Sequence, residues 1–306
     1  MANNDGNDER TVALIGPGRA GTTIALGLVD LGWRATAVAG RSPDAASTTA
    51  AAAILSTHPA LVSDAGRDAE LVIIATPDRA IEGAALAVAS SLEPGALVVH
   101  LAGSRGVDAF EGLCEKRADV RVGALHPLQS FPSTSAGLSR LPGSWAAVAG
   151  DAEVTTIADA LGLRPVPIPD SERVRYHAAA VVASNHLVAL LGQVERLAAS
   201  CGVPFEAFGP LVRASVENAF RLGPPAALTG PVERGDLGTV EGHLAALDPA
   251  ERDAYRSLAR EAARLTGRRD TAMDRLLGDV LAPGRATLDL EAAEGDLEAD
   301  EDDPSP

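Results

Sequence analysis

Lysine is almost absent from this chain. Among 306 residues and 26 basic side chains Lys116 is the only lysine, so a mechanism built on a lysine amine has a single residue to draw on. Cysteine is nearly as scarce. Cys114 and Cys201 form no CxxC pair and no metal-ligand spacing, which argues against a disulfide framework or a metal site and leaves two free thiols, expected to be buried in a reducing compartment. No run reaches the roughly 18 apolar residues of a membrane span, and Met1 to Arg10 lacks both the basic start and the apolar core of a signal peptide. A cytoplasmic protein without a membrane partner is expected. Basic clusters are missing too, so nucleic acid is not an expected partner. The net charge is −16, but nine of the acids (Asp289, Glu291, Glu294, Asp296, Glu298, Asp300, Glu301, Asp302 and Asp303) sit in one C-terminal tail, leaving the remainder only moderately acidic.

What the chain does have is 46% hydrophobic residues, enough for a sizeable core, at a length that suits about two domains. The most informative stretch is Thr11 to Gly21, TVALIGPGRAG. An apolar β-branched run stops at Gly16-Pro17-Gly18-Arg19-Ala20-Gly21, and a helix-compatible segment follows at once. In a dinucleotide-binding unit the first glycine permits the tight turn, the second lets backbone approach a pyrophosphate, and the third lets helix pack on strand. These six residues are candidate cofactor contacts. A second strand, Trp33 to Ala39, ends at Gly40-Arg41-Ser42. An acid near this strand end would bind a ribose 2′-hydroxyl, whereas an arginine accommodates a 2′-phosphate. Arg41 stands there, with Ser42 beside it, so NADP is expected in preference to NAD.

Further strands are expected at Leu71 to Thr76, Ala96 to His100 and Val120 to Leu125, with closing strands at Ser144 to Ala149 and Arg164 to Ile168 and helices between them. Strands alternating with helices indicate an α/β fold, a doubly wound parallel sheet of the Rossmann type over residues 11–168. Ligands in such sheets bind beyond the carboxyl ends of the strands, so Thr76, Pro77 and Asp78 should line the cofactor crevice, although Asp78 could equally cap the following helix. After residue 168 the pattern turns wholly helical. One long helix over Glu172 to Ser200, capped by Ser171, opens an all-helical domain over 169–285. Residues 1–10 read as a flexible N-terminus and 286–306 as a disordered acidic tail.

Three clusters could carry chemistry. His126 ends a strand before Pro127, and an unperturbed pKa near 6.5 suits it to acid/base work or to simple binding. On the long helix His177, Ser184 and Asn185 fall within about 100° of one another on an otherwise apolar surface, where they line a substrate pocket or else hydrogen-bond locally or across a subunit interface. The loop LTGPVERGDLGTVEGH, 228–243, offers Arg234 to a substrate carboxylate or to Asp236.

With GPGRAG, HPLQSF at 126–131, YHAAAVVASNHLVAL at 176–190 and LTGPVERGD at 228–236, the chain resembles the Rossmann-like oxidoreductases that carry the C-terminal domain of unknown function 2520. The resemblance implies an NADP-linked Rossmann domain followed by a helical domain that commonly forms homodimers, and it names no substrate. More distantly the chain is similar to ketopantoate reductase, pyrroline-5-carboxylate reductase, the β-hydroxyacid dehydrogenases and prephenate dehydrogenase. If Asn185 matches the asparagine of the β-hydroxyacid enzymes, their lysine position is Val181, so that lysine mechanism is not carried over. The His-Pro and Gly-Ser of prephenate dehydrogenases match His126-Pro127 and Gly103-Ser104, which makes His126 the preferred acid/base and Ser104 its partner. Hydride transfer between NADPH and a small keto, hydroxy or imino acid is the leading expectation, with a non-catalytic dinucleotide sensor or regulatory dimer, or a prephenate-type dehydrogenase, as alternatives.

Overall fold

The computed structural model describes residues 9–267 and 271–278, so all but residues 9 and 10 of the flexible start expected for 1–10, and the acidic tail expected for 286–306, lie outside it. The chain divides into two compact units, one ending at Ala189 and the other beginning at Leu190.

The first unit alternates β1 (Thr11–Ile15), α1 (Arg19–Asp30), β2 (Arg34–Ala39), α2 (Ala46–Ile54), β3 (Pro59–Ala60), β4 (Leu71–Ile74), α3 (Ile81–Val88), β5 (Leu97–His100), α4 (Glu111–Lys116) and β6 (Arg121–Pro127). It continues through α5 (Thr134–Leu138), β7 (Trp145–Gly150), α6 (Glu153–Ala160), β8 (Arg164–Pro167) and α7 (Asp170–Val181). The strands form one eight-stranded sheet in the order β3-β2-β1-β4-β5-β6-β7-β8. Every neighbouring pair is parallel except β6 with β7, which is antiparallel. The link between those two strands carries only the five-residue α5, too little for the helical crossover that parallel neighbours need.

The central strands are buried along their whole length because helices cover both faces. Alternation sorts their side chains. Val12 and Leu14 join Ile73, Val99 and Leu125 under α1 and α6, while Ala13 and Ile15 join Val72, Ile74 and Val98 under α3 and α4. This arrangement lifts the carboxyl ends of β1, β4, β5 and β6 to one rim.

α7 runs into a π turn over Val182–His186 and on into α8 (Leu187–Ser200). Its start differs from the sequence expectation. The helix begins at Asp170 with Pro169 before it, so Ser171 lies inside the first turn and caps nothing. The 31 helical residues Asp170–Ser200 also include an 18-residue window of mean hydropathy 1.3, of which 6% is buried, so this one helix meets the length and composition of a membrane span. The second unit contains α9 (Gly209–Leu222), α10 (Pro224–Ala227), α11 (Pro231–Arg234), α12 (Leu237–Ala246), α13 (Pro249–Leu265) and α14 (Thr271–Leu277). Val240, Leu244, Ala259, Met273 and Leu277 form its small core. The thiols depart from expectation as well. Cys201 is exposed just past α8 and Cys114 is half-buried; both are free.

Helix α1 sits close on the sheet through Gly21, where an added Cβ would lie 2.6 Å from Ala75 Cβ and 2.8 Å from the Gly16 carbonyl. Gly21→Ala should therefore lower unfolding stability by about 1–3 kcal/mol, as overpacking does, measured by urea denaturation.

Candidate functional site

The site is built along the strand-end rim, from β1 outward to β6. Gly16 turns the chain at φ +92°, and an added Cβ would meet the Ala75–Thr76 peptide at 2.6 Å. Its N–H donates to the Ala39 carbonyl at 2.8 Å, which ties the turn to the end of β2. Gly18 precedes α1 and leaves open space where a Cβ would project. No side chain caps α1 and no acid lies in its first turn, so the positive end of the helix is available to an anion. Pro17 packs against Gly40. Ala20 is half-buried, and Arg19 Nη1 donates to the Pro132 carbonyl at 3.2 Å, holding the loop after β6 over the start of α1. Arg41 and Ser42 are exposed beyond β2.

At the end of β4 the Thr76 hydroxyl is buried without a partner among the described residues, and Pro77 is exposed. Asp78 caps no helix. Its carboxylate accepts a hydrogen bond from the Ser104 hydroxyl, which links the end of β4 to the loop after β5.

That loop, Leu101 to Val107, is pinned from two sides. His100 is fully buried against Phe110. Its Nδ1 accepts from Ala102 N–H at 3.2 Å and its Nε2 donates to the Gly106 carbonyl at 2.8 Å. A carbonyl can only accept and an amide N–H can only donate, so these two bonds fix one neutral tautomer. Burial holds the His100 pKa below the usual value in the same sense. From α7, Asp170 Oδ2 accepts from Val107 N–H at 3.0 Å, and the buried Arg173 reaches the Ala102 carbonyl at 3.5 Å.

Gly103 is where the rim meets the helix. A Cβ there would collide with His177 Nδ1 and lie 2.8 Å from His126 Nε2, so only glycine allows both rings to close on this backbone. His126 is the sixth residue of β6, its Nδ1 2.8 Å from the Tyr176 hydroxyl. Tyr176 and His177 both pack edge-on to its ring, with centroids 5.6 Å away. His177 Nδ1 is buried and unpartnered among the described residues. Burial, then the neighbouring His177, then Arg173 push the His126 pKa down to about 4. The ordinary value of 6.5 expected from sequence is thus corrected: at neutral pH this imidazole is uncharged. It can accept a proton from a hydroxyl or donate a hydrogen bond, and it is not a standing imidazolium. Burial also raises the Tyr176 phenol above its usual range.

The structure therefore brings Asp78, Ser104, His126 and His177 into one chain of contacts. It does not bring Ser184 or Asn185 there. Both are exposed on the π turn, and among the described residues Ser184 bonds only to the Ala180 carbonyl and to Asn185 Oδ1, at 2.7 and 2.9 Å. The even 100° spacing that grouped them with His177 fails because the chain takes i→i+5 turns at Val182–His186. Arg234 is exposed in the second unit, and Asp236 caps α12 through Thr239, whose hydrogen bonds, together with the Arg234 charge, hold the Asp236 pKa down. Tyr176, Arg173, Asp170 and His100 were not singled out from sequence. Asp170, Arg173 and His177 follow one another at spacings of three and four on α7, and Tyr176 stands three after Arg173, a signal the chain did contain.

Residues 3–127 match the model of a Rossmann-like domain, and residues 146–262 match a domain of unknown function (DUF2520). The N-terminal part of the chain is thus similar to a Rossmann-like domain and the C-terminal part to a DUF2520 domain. Among curated proteins none matches it. Among solved structures it is similar to a Bacteroides fragilis protein described as a proposed NADP oxidoreductase, at 25% identity and TM-score 0.72, over 84% of this chain and 98% of that one. Protein TM1727 of Thermotoga maritima is also 25% identical, with TM-score 0.62 over 84% and 100% of the two chains. Pyrroline-5-carboxylate reductase of Coxiella burnetii shares the fold at 18% identity and TM-score 0.52, over 88% and 97%. The fold is a Rossmann-like fold of the kind these oxidoreductase structures share.

Because the folded pKa of His126 lies below the unfolded value near 6.5, the unfolded chain takes this proton first as pH falls. Its contribution to stability should be complete above pH about 6.5 and be lost as pH drops towards 4. An NMR titration of the His126 ring should give a midpoint near 4, and a midpoint at 6.5 would contradict the site's geometry.

Proposed function

We propose that the protein is an NADP-dependent oxidoreductase that moves hydride to or from a small keto, hydroxy or imino acid, ketopantoate-like by analogy alone. One observation carries this reading: the glycine turn after β1 and the His126 cluster at β6 lie on one rim, joined through Asp78, Ser104 and Gly103.

The residues present fit a dinucleotide. The open space at Gly18 and the uncapped start of α1 suit a pyrophosphate, and the Thr76 hydroxyl offers a hydrogen bond nearby. Arg41, exposed just beyond β2, suits a 2′-phosphate, which favours NADP over NAD. The bound cofactor would supply or receive the hydride. The protein's share is then proton handling. His126, neutral and backed by the Tyr176 hydroxyl, would take a proton from a substrate hydroxyl or hydrogen-bond its carbonyl oxygen through Nε2, on the side facing Gly103. Ser104, oriented by Asp78, would hold the same substrate from the β4 side.

NADPH fluorescence should report tight binding, and Arg41→Ala should weaken NADPH by about tenfold while leaving NADH unmoved. With a panel of 2-keto acids and cyclic imines, His126→Ala should lower kcat by about 10²–10⁴-fold. The absence of a lysine at Val181 favours a second reading, a dinucleotide sensor without turnover. Tight NADPH binding with no oxidation across the panel, unchanged by His126→Ala, would establish that reading instead.

We also propose a homodimer formed through the helical region. Val174, Val182 and Val188 are exposed, and Phe220 on α9 is 90% exposed, more apolar surface than a helix leaves in water. Sedimentation equilibrium should return the mass of two chains, and Phe220→Asp should shift it towards one.

A further inference from the structure

Arg173 carries its charge at 0% exposure, and most of its hydrogen-bonding capacity is unused. Nη1 donates to the Ala102 carbonyl across 3.5 Å, a long bond. Nε and Nη2 have no partner among the described residues. Asp170 Oδ1 stands 3.9 Å from Nε, an ion pair without a hydrogen bond, because Oδ2 of the same carboxylate accepts from Val107 N–H. The two unpartnered nitrogens matter as a pair. In a guanidinium the Nε–H and the adjacent Nη2–H project from one planar edge, at the spacing of the two oxygens of a carboxylate.

Asp108 also faces this guanidinium electrostatically, but among the described residues neither it nor Asp170 hydrogen-bonds to this edge. His100 is fixed as a neutral tautomer, and His126 and Tyr176 are held uncharged by burial. A buried guanidinium left in that state opposes folding, and a leucine of similar volume would not. Its position relates it to the reacting groups, since residues 173, 176 and 177 share one face of α7. Its acceptor, the Ala102 carbonyl, belongs to the Leu101–Val107 loop that also holds Gly103 against His126.

We propose that Arg173 is the substrate's carboxylate anchor: its Nε/Nη2 edge takes both oxygens of a small acid's carboxylate beneath the Leu101–Val107 loop, with the reacting oxygen or nitrogen presented to His126. Of the contacts that hold the loop, the 3.5 Å bond from Arg173 to the Ala102 carbonyl is the one a bound carboxylate would replace. The assignment rests on the hydride-transfer reading and replaces Arg234, which is exposed and so keeps water as a competitor for any carboxylate.

The test uses the full chain saturated with NADPH, titrated with oxamate and with its uncharged analogue oxamide, following cofactor fluorescence. The wild type should bind oxamate at least about tenfold more tightly than oxamide. Arg173→Gln should remove that preference while changing NADPH affinity less than about twofold, and Arg173→Lys, which keeps the charge but not the fork, should retain only part of it. Should the glutamine variant fail to fold, an undiminished preference in Arg173→Lys overturns the proposal. So does equal binding of the two probes by the wild type, or a preference that survives in Arg173→Gln. A wild type that binds no NADPH overturns the hydride-transfer reading and the anchor together, whereas NADPH binding without discrimination strikes the anchor alone.

Discussion

The first unit depends on backbone approaching side chain and backbone more closely than any Cβ would permit. At Gly16 the obstacle is the end of β4, at Gly21 it is Ala75, and at Gly103 it is a pair of histidine rings. The first two approaches place the positive end of α1 on the strand rim. The third lets α7 bring Tyr176 and His177 to His126. Enlarging any of these residues would separate elements that the site needs together.

Burial then sets the charge pattern. The imidazoles of His100 and His126 are uncharged near neutrality, because taking a cation out of water costs more than their few hydrogen bonds return. Arg173 cannot take that escape, since its guanidinium stays protonated throughout the accessible pH range. The site thus holds a persistent positive charge at Arg173, flanked by the carboxylate of Asp170, with that of Asp78 on the far side of Ser104.

Much of this was legible in the sequence. The apolar runs of β1, β4 and β5 read as strands of a parallel sheet, and the glycines of the first turn marked the rim. The antiparallel β7 was not legible, since a strand's two-residue period is the same in either direction. The π turn was hidden too: VASNH carries no composition that distinguishes i→i+5 from i→i+4 bonding. Burial of Arg173 and depression of the His126 pKa arise from residues far apart in sequence and so leave no local trace. Asp78 shows the intermediate case, because its sequence position allowed capping or a site contact and only the fold presented Ser104 to it.

The two margins of the sheet constrain how copies of this chain can associate. β3, at one margin, is two residues long and includes Pro59; β8, at the other, reads RPVP. Arg164 and Ile168 turn their N–H groups inward to β7, which leaves Pro165 and Pro167 on the outer side, where a further strand would look for donors. Proline supplies none. A ninth strand would therefore find few backbone donors at either margin of the sheet.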